Sequence, residues 1–308
     1  MNVFHWHLVD DQSFPYQSKR FPELSKKGSF SPLHVYSQAD IKRVIHYASM
    51  RGIRVIPEFD TPGHTASWGK AFPELITPCW VNGRPEQAVY GKHGKFELLN
   101  PILNTTYKFV RDLYEEIAEV FPDKYIHLGM DEVYHACWES NLNISEFMAE
   151  KGFGRDYKTL EQYYVRRVLD IVSSLNSKYV IWQDPIEQGV QAQMDAIVEV
   201  WKDSTLGLPG QFQDWQDYMV NITKKGYKTI LSACWYLNKI FYGPDWKRFY
   251  QCEPLDFNGR HSGTAQKSDW WRGMPRASAV AERLWSTRET MNVDEAAFRL
   301  DQQRCRLL

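Results

Sequence analysis

Asp131 and Glu132 close the run His127-Leu128-Gly129-Met130-Asp131-Glu132, which leaves a β-rich segment. Taken alone, two adjacent acids are ordinary surface charge. At the exit of a strand they can divide a harder task. Hydrolysis of a sugar bond needs a protonated acid for the leaving oxygen and something to stabilise positive charge at the anomeric carbon. Like charges held close together push one pKa upward, which keeps one carboxyl protonated. Other chemically capable residues also follow β-rich runs: Asp10, Asp60 with His64, Trp182, Trp201, and Trp235 with Tyr236. The tryptophans suit either a core or a platform for the apolar face of a sugar ring. A lone histidine such as His64 is ordinarily satisfied by backbone groups, and Tyr236 can simply pack. His5-Trp6-His7 sets two imidazoles on one face of a strand, a spacing that holds a metal in some hydrolases. The strand continues through Leu8 and Val9, which places the pair below its end, and no matching set of His and Lys ligands follows. The sequence therefore argues against a metal site and calls for no cofactor.

The elements that must position these residues alternate between strand and helix. Val3–Val9 is β-rich and runs into Asp10-Asp11. Ser37-Gln38-Ala39-Asp40 has capping-box form, with Asp in place of the usual Glu or Gln. Ile41, Val44, Ile45 and Ala48 then fall on one helical face, and Gly52 suits the helix C-terminus. Residues 54–60 form the next strand and its exit. The spacing of Phe109, Leu113, Ile117 and Val120 predicts a helix before a strand at 125–128. Leu160, Tyr164, Val168, Ile171, Val172 and Leu175 predict another before a strand at 179–182. Strands follow at 197–201 and 229–232, with a helix ending near Gly226 between them, and a last helix spans Val293–Leu307. This alternation implies an α/β fold with a parallel sheet. Active sites of barrels of this class lie at the C-terminal ends of the strands. A doubly wound sheet would also put ligands there, but no Gly-rich phosphate loop is present.

The length of 308 residues suits one large domain with a sizeable core. A formal net charge of −1 and the absence of a basic stripe exclude nucleic acid as the expected partner. No apolar run approaches the roughly 20 residues that span a bilayer, so no membrane span is expected. Five cysteines do not make a disulfide-dense scaffold. Asn104, Asn143 and Asn221 begin Asn-X-Ser/Thr triplets and are candidate glycosylation sites. The first seven residues read as a strand and not as a signal peptide, which points to sequence upstream of Met1.

The motifs resemble those of glycoside hydrolase family 20. The acid run is similar to the family's His-X-Gly-Gly-Asp-Glu motif. The resemblance extends in order through 4–16, Pro57-Glu58-Phe59-Asp60-Thr61-Pro62-Gly63-His64, Trp182-Gln183, Trp235-Tyr236-Leu237-Asn238 and 275–285. It covers nearly the whole chain and is marked toward the animal lysosomal β-hexosaminidases. The resemblance implies an α/β fold of the (β/α)8 TIM barrel type and a retaining, substrate-assisted β-N-acetylhexosaminidase, in which the substrate's own acetamido oxygen attacks the anomeric carbon. It makes Glu132 the general acid and then the base, and Asp131 the residue that holds the acetamido group. Tyr236 becomes a donor to the acetamido oxygen, and Trp182, Trp201 and Trp235 become substrate-binding residues. Asp10 and His64 become a relay that tunes Glu132. Asn238-Lys239 is similar to the alpha-subunit type, which accepts charged substrates. There Lys239 would pair with a sulfate on the sugar's 6-position, and the alternative is a solvated surface lysine. The implied partners are N-acetylhexosamine-terminated glycans, from glycoprotein, glycolipid or chitin-derived oligosaccharide, and a homo- or heterodimeric second subunit. The implied location is lysosomal or secreted. Cys79 and Cys137 match a disulfide pair of the lysosomal enzymes. Cys305 matches a position whose partner would lie beyond Leu308, whereas Cys234 and Cys252 read as small buried hydrophobes.

The sequence also departs from the family. Met130 replaces the second Gly of the acid motif and adds bulk beside the acids. Residues 1–308 read as a catalytic barrel without the family's N-terminal non-catalytic domain. Six strands are legible where the barrel has eight. The first, with its substrate-binding arginine, and the eighth are missing or altered. The segment before Pro275 is too short for the family's Gly-Gly-Glu run and pocket Trp, for which Trp270 or Trp271 would have to substitute. The alternative to an active hydrolase is a catalytically impaired fragment or isoform that acts as a glycan-binding protein.

Overall fold

A computed structural model describes residues 1–86, 97–206, 209–239, 243–258, 265–267 and 276–307. They divide into two compact units, Asn2–Ala196 and Ile197–Leu308, the second together with Met1. The sequence reading expects a single domain.

In the first unit the chain runs β1 (Val3–Val9), α1 (Glu23–Gly28), α2 (Gln38–Ser49), β2 (Arg54–Phe59), α3 (Ala66–Gly69), β3 (Trp80–Val81), β4 (Arg84–Pro85), α4 (Asn104–Val120), β5 (Tyr125–His127), α5 (Ala136–Ser140), α6 (Leu142–Glu150), α7 (Tyr157–Ser174), β6 (Lys178–Trp182) and α8 (Asp184–Glu187). Strands β1, β2, β5 and β6 lie side by side in that order, each pair parallel. The helices start and stop for local reasons. Ser37 caps α2 and exchanges hydrogen bonds with Asp40 in a full capping box, so Asp does the work usual for Glu or Gln. Asn141 caps α6 by accepting from Asn143 N and Ile144 N. Helices α4 and α7 bury the stripes that their periodicity predicts, including Phe109, Leu113 and Ile117 on one and Leu160, Tyr164, Val168 and Val172 on the other. Leu98, Trp138, Ile144, Met148 and Leu160 form a satellite core beneath α5 and α6.

The second unit holds β7 (Ile197–Val200), α9 (Trp215–Lys224), β8 (Lys228–Leu231), α10 (Trp246–Gln251), β9 (Ala265–Lys267), α11 (Arg276–Trp285) and α12 (Val293–Leu307). Here β7, β8 and β9 pair in parallel. Strand β9 is a finding, because the sequence leaves this stretch without an element. Its three residues, Ala265-Gln266-Lys267, carry no β-branched or aromatic signal, and only its register against Thr229, Ile230 and Leu231 reveals it. The eighth barrel strand of the resemblance is therefore altered and not missing. Trp270 and Trp271 lie outside the described residues. No helix among the described residues is long and apolar enough to cross a membrane.

One buried carboxylate ties the β1 exit to α4. Glu116, 3% exposed, accepts from the Tyr16 hydroxyl (2.9 Å), the Ser18 hydroxyl (3.0 Å), Lys19 N (3.0 Å) and Arg20 N (2.8 Å). Truncating it strands four donors, so Glu116→Ala should lower the unfolding free energy by about 3 kcal/mol, as urea denaturation would show. A loss near zero would mean that water reaches these donors.

Candidate active site

The ends of β1, β2 and β5 converge on one imidazole. Asp10 follows β1, while Asp60 and His64 follow β2. Asp131 and Glu132 follow β5, whose backbone ladder continues beyond the strand through Leu128 N to Val180 O (2.9 Å) and Trp182 N to Gly129 O (3.0 Å). His64 Nδ1 stands 3.0 Å from Asp10 Oδ1. Its Nε2 stands 3.6 Å from Asp131 Oδ2, 3.6 Å from Glu132 Oε2 and 3.9 Å from Asp60 Oδ2. The structure thus brings together five residues that the sequence singles out: Asp10, Asp60, His64, Asp131 and Glu132.

The backbone here is unusual. His64 (φ 56°), Met130 (φ 74°) and Glu132 (φ 48°) are all left-handed, and Gly129 beside them has φ 66°. A non-glycine residue costs about 1 kcal/mol or more in this conformation, so it persists only where the surroundings impose it. Asp60 imposes part of it, because its Oδ1 accepts the Met130 N–H at 2.7 Å. A Cβ added to Gly129 would stand 1.9 Å from that same oxygen, so only glycine lets the turn close over Asp60. Met130 is fully buried, and its extra bulk is absorbed inside the fold.

Charge follows from the crowding. Burial opposes a charged His64, but Asp60, Asp10 and Asp131 outweigh it and push the ring up to about 11. Burial also works to raise Asp10, yet its hydrogen bond to His64 and that ring's charge hold it below the ordinary carboxylate range. Burial raises Asp131. The His64 charge and an Asp60 hydrogen bond pull it back, Asp184 and Glu58 push it up again, and the result is about 6. Burial and then Asp131 drive Asp60 well above the usual range.

A second cluster lies one step down the strands. Glu58, fully buried, meets His5 Nε2 at 2.6 Å, His127 Nδ1 at 3.3 Å and His7 Nδ1 at 3.5 Å. It also accepts the Trp182 indole N–H at 3.0 Å. Burial would raise this carboxyl, but the three imidazoles hold it well below the usual range. Strand alternation does put His5 and His7 on one face, and both turn to Glu58. Among the described residues, four sets of His and Asp or Glu have ligand atoms within 4.8 Å of one another: His5-Glu58-His127, His7-Glu58-Asp60, Asp10-Asp11-His64 and Asp60-His64-Asp131.

The second unit carries the remaining expected residues. Trp201 and Tyr236 face one another with ring centroids 6.4 Å apart. Asn238 is exposed, and Lys239 donates to Thr205 O at 2.8 Å. Trp235 sits elsewhere. It has no solvent exposure, and its indole N–H donates to Phe249 O at 3.1 Å, so it is a core residue and not a pocket wall. Trp182, in the first unit, is 4% exposed. Cys79–Cys137 forms a disulfide across 58 positions, and so does Cys234–Cys252 across 18. The second corrects the reading of Cys234 and Cys252 as unpaired hydrophobes, since spacing alone cannot show that two such residues meet. Cys305 is free and exposed. Asn104, Asn143 and Asn221 are exposed.

Sequence reasoning gave no role to Asp60, Glu58, Asp184 or Tyr134. The Tyr134 hydroxyl is pushed up to about 12 by burial and by the Glu132 carboxylate it hydrogen-bonds, and Glu132 N approaches Asp184 Oδ1 at 3.4 Å. A signal for the first two existed. Glu58 lies in β2 and Asp60 one residue past its end; residues two apart along an extended chain share a face, and polar residues on a buried face imply buried partners.

Comparison with known proteins places the chain. Residues 1–267 match the catalytic domain of glycosyl hydrolase family 20, and the chain belongs to that family. It is 47% identical over its whole length to beta-hexosaminidase subunit beta of Homo sapiens, and 48% to beta-hexosaminidase subunit alpha of Rattus norvegicus. The chain spans 55% and 58% of those two relatives, a little over half their length. Among solved structures it is similar to the chitobiase of Flavobacterium johnsoniae, with TM-score 0.81 and 29% identity over 98% of this chain and 46% of that one. A beta-N-acetylhexosaminidase from Bacteroides fragilis, 24% identical and covered over 64% of its length, shares the fold with TM-score 0.80. The fold class is α/β, of the TIM-barrel type and incomplete: the described residues show parallel strands and no closed barrel.

Two outcomes follow from this geometry. Gly129→Ala should lower the unfolding free energy by about 3 kcal/mol in urea denaturation, because its Cβ would overlap the buried Asp60 carboxyl. Gly152→Ala, equally left-handed (φ 72°) but facing open space, should cost only about 1 kcal/mol. Equal effects would show that the Asp60 contact is unimportant. The His64 ring should stay protonated well past neutrality. Its folded pKa of about 11 exceeds the ordinary 6.5, so its stabilising contribution is complete below 6.5 and is lost as pH rises toward 11. Nitrogen NMR of the ring should show no titration between about pH 5 and 8, and a midpoint inside that window would refute the carboxylate cage.

Proposed function

We propose that this chain is the catalytic part of a β-N-acetylhexosaminidase that removes terminal non-reducing N-acetyl-D-hexosamine residues from glycoconjugates. Membership of the family supports the reaction. The observation that carries the reading for this chain is the placement of Asp131 and Glu132 at equal distance, 3.6 Å, from His64 Nε2, with Asp10 on the far side of the ring.

In this proposal each group does what its surroundings favour. Glu132 is half-exposed and can reach a leaving oxygen, first donating a proton and then taking one from water. Asp131 is more enclosed and carries charge against the acetamido N–H, so that the acetamido oxygen attacks the anomeric carbon and closes an oxazolinium-like ring. His64, held cationic and oriented by Asp10, eases the change of charge on Glu132 as the proton leaves and returns. In the second unit, Tyr236 and Trp201 take the roles that the resemblance gives them, as donor to the acetamido oxygen and as wall for the sugar. Trp182 is the acetyl-facing wall of the first unit. Trp235 is left out of this set.

The finer assignments are part of the same reading. Lys239 keeps N–H bonds to offer beyond the one to Thr205, which suits an anionic substituent beside exposed Asn238. The substrate class is N-acetylhexosamine-terminated glycans. A homo- or heterodimer and a lysosomal or secreted location fit the subunits of Homo sapiens and Rattus norvegicus that the chain resembles. Exposure of Asn104, Asn143 and Asn221 suits glycosylation.

The test is release of a chromogenic leaving group from an N-acetylglucosaminide at mildly acidic pH. Glu132→Gln should lower turnover by about 10²–10⁴-fold, the usual worth of a general acid, with the fold intact by circular dichroism. No turnover by a folded wild-type chain would favour a glycan-binding role.

A further inference from the structure

Asp60 is a fully buried carboxyl for which the proposed mechanism has no use. One oxygen is engaged, since Oδ1 accepts the Met130 N–H at 2.7 Å. The other, Oδ2, is buried and makes no hydrogen bond, and the same is true of Asp131 Oδ1. The two carboxyls approach within 4.8 Å of each other, together with His64, whose Nε2 stands 3.9 Å from Asp60 Oδ2 and 3.6 Å from Asp131 Oδ2. Two buried carboxyls this close do not both ionise beside one imidazolium. An oxygen with no donor facing it is costly to bury as a charge, but it is well suited to hold a proton and donate it.

We propose that Asp60 is a positioning residue that remains protonated, fixes the Gly129-Met130 turn through its carbonyl oxygen and, through its hydroxyl, keeps Asp131 as the carboxylate of the pair. The proposal rests on the hydrolase reading only for the purpose of the charge. The proton itself is a property of the folded chain. No proton leaves the pair during the reaction, so Asp60 neither gives to nor takes from the substrate.

Every group facing Asp60 bears on this assignment. Asp131 from the β5 exit and Glu58 from β2 both disfavour a second charge there. His64, the Met130 N–H and His7 of β1, which lies with Glu58 within 4.8 Å of Asp60, face it from the other side. With Asp60 protonated, the imidazolium of His64 is held by Asp10 and Asp131. The phenols of Tyr114 on α4 and Tyr164 on α7 sense the same site and stay protonated. Tyr114 is committed elsewhere, since its hydroxyl donates to Phe59 O at 2.6 Å. Asp131 is the natural bearer of the charge, because burial affects it less completely: its side chain retains 16% exposure where that of Asp60 has none.

The experiment compares wild type, Asp60→Asn and Asp60→Leu. Asn mimics a protonated Asp, with a carbonyl for Met130 N–H and a donor for Asp131, whereas Leu supplies neither. Turnover on the chromogenic substrate should fall less than about tenfold in Asp60→Asn and about a hundredfold or more in Asp60→Leu, the cost of a misplaced catalytic group. Equal losses in the two variants would overturn the protonated state, and an active Asp60→Leu would overturn the positioning role. Infrared difference spectra at neutral pH need no turnover. Wild type minus Asp60→Asn should show the carbonyl stretch of a buried protonated carboxyl, and its absence sinks the proposal even if the chain proves to be a hydrolase. Its presence in a chain without turnover leaves the proton assignment standing while the hydrolase reading fails. Should Asp60→Leu not fold, the Asp60→Asn turnover and the infrared band still decide the matter.

Discussion

A carboxylate removed from water must find its compensation inside the fold, and most of the first unit's polar architecture answers that requirement. Two clusters stacked along the same strands answer it in opposite ways. Glu58 is outnumbered by His5, His7 and His127 and accepts the Trp182 indole N–H as well, so it stays charged and its pKa falls. Two residues further on, just past the end of β2, Asp60 faces Asp131 with a shared imidazole, and its pKa rises. Equal burial leads to contrary protonation because the ratio of imidazoles to carboxyls differs. That contrast holds one buried acid neutral and another ionised two residues apart.

The backbone conforms to the same requirement. Asp60 can lie under the acid loop only if residue 129 has no side chain, and it reaches Met130 N–H only if the turn is left-handed. Three non-glycine residues in that conformation around one imidazole are a local cost, met by burial of Met130 and by the charge pairing of His64. The helices behind do the anchoring. Glu116 on α4 gathers four donors from the segment that follows Asp10, and Tyr114 on the same helix holds Phe59 O at the end of β2. The loops bearing Asp10 and Asp60 are thereby referred to one rigid element.

Much of this was legible in the residues. The alternation of strands and helices, the Ser37-Asp40 cap, the stripes of α4 and α7 and the gathering of Asp10, His64, Asp131 and Glu132 at strand ends all follow from spacing and motif. What escaped has physical reasons. Strand β9 is three residues without a β signal, so only pairing defines it. Cys234 and Cys252 meet because β8 and α10 bring them together, which a sequence separation of 18 does not announce. Trp235 carries the same motif context as Tyr236 yet points to Phe249 O, because adjacent residues on a turn face different surroundings. Asp60 stood in view inside a recognised motif, but its role depends on Asp131, 71 positions away, and on a proton that no sequence displays.

Met130 shows how the acid motif takes a larger residue within this fold. The family resemblance places glycine there, and φ of 74° explains that preference. The neighbouring position is the one that cannot change: a Cβ on residue 129 collides with Asp60, whereas the side chain of residue 130 is accommodated with no solvent exposure. The two positions share a conformation but not a neighbour. Methionine is an unbranched and adaptable side chain, so it can occupy an irregular space where a β-branched residue would add crowding to an already unfavourable φ. The conformational cost of about 1 kcal/mol is comparable with what burial of such a side chain returns. The substitution therefore bears on stability with small net effect, while the position of Asp131 stays fixed by the Met130 N–H, which any residue but proline supplies.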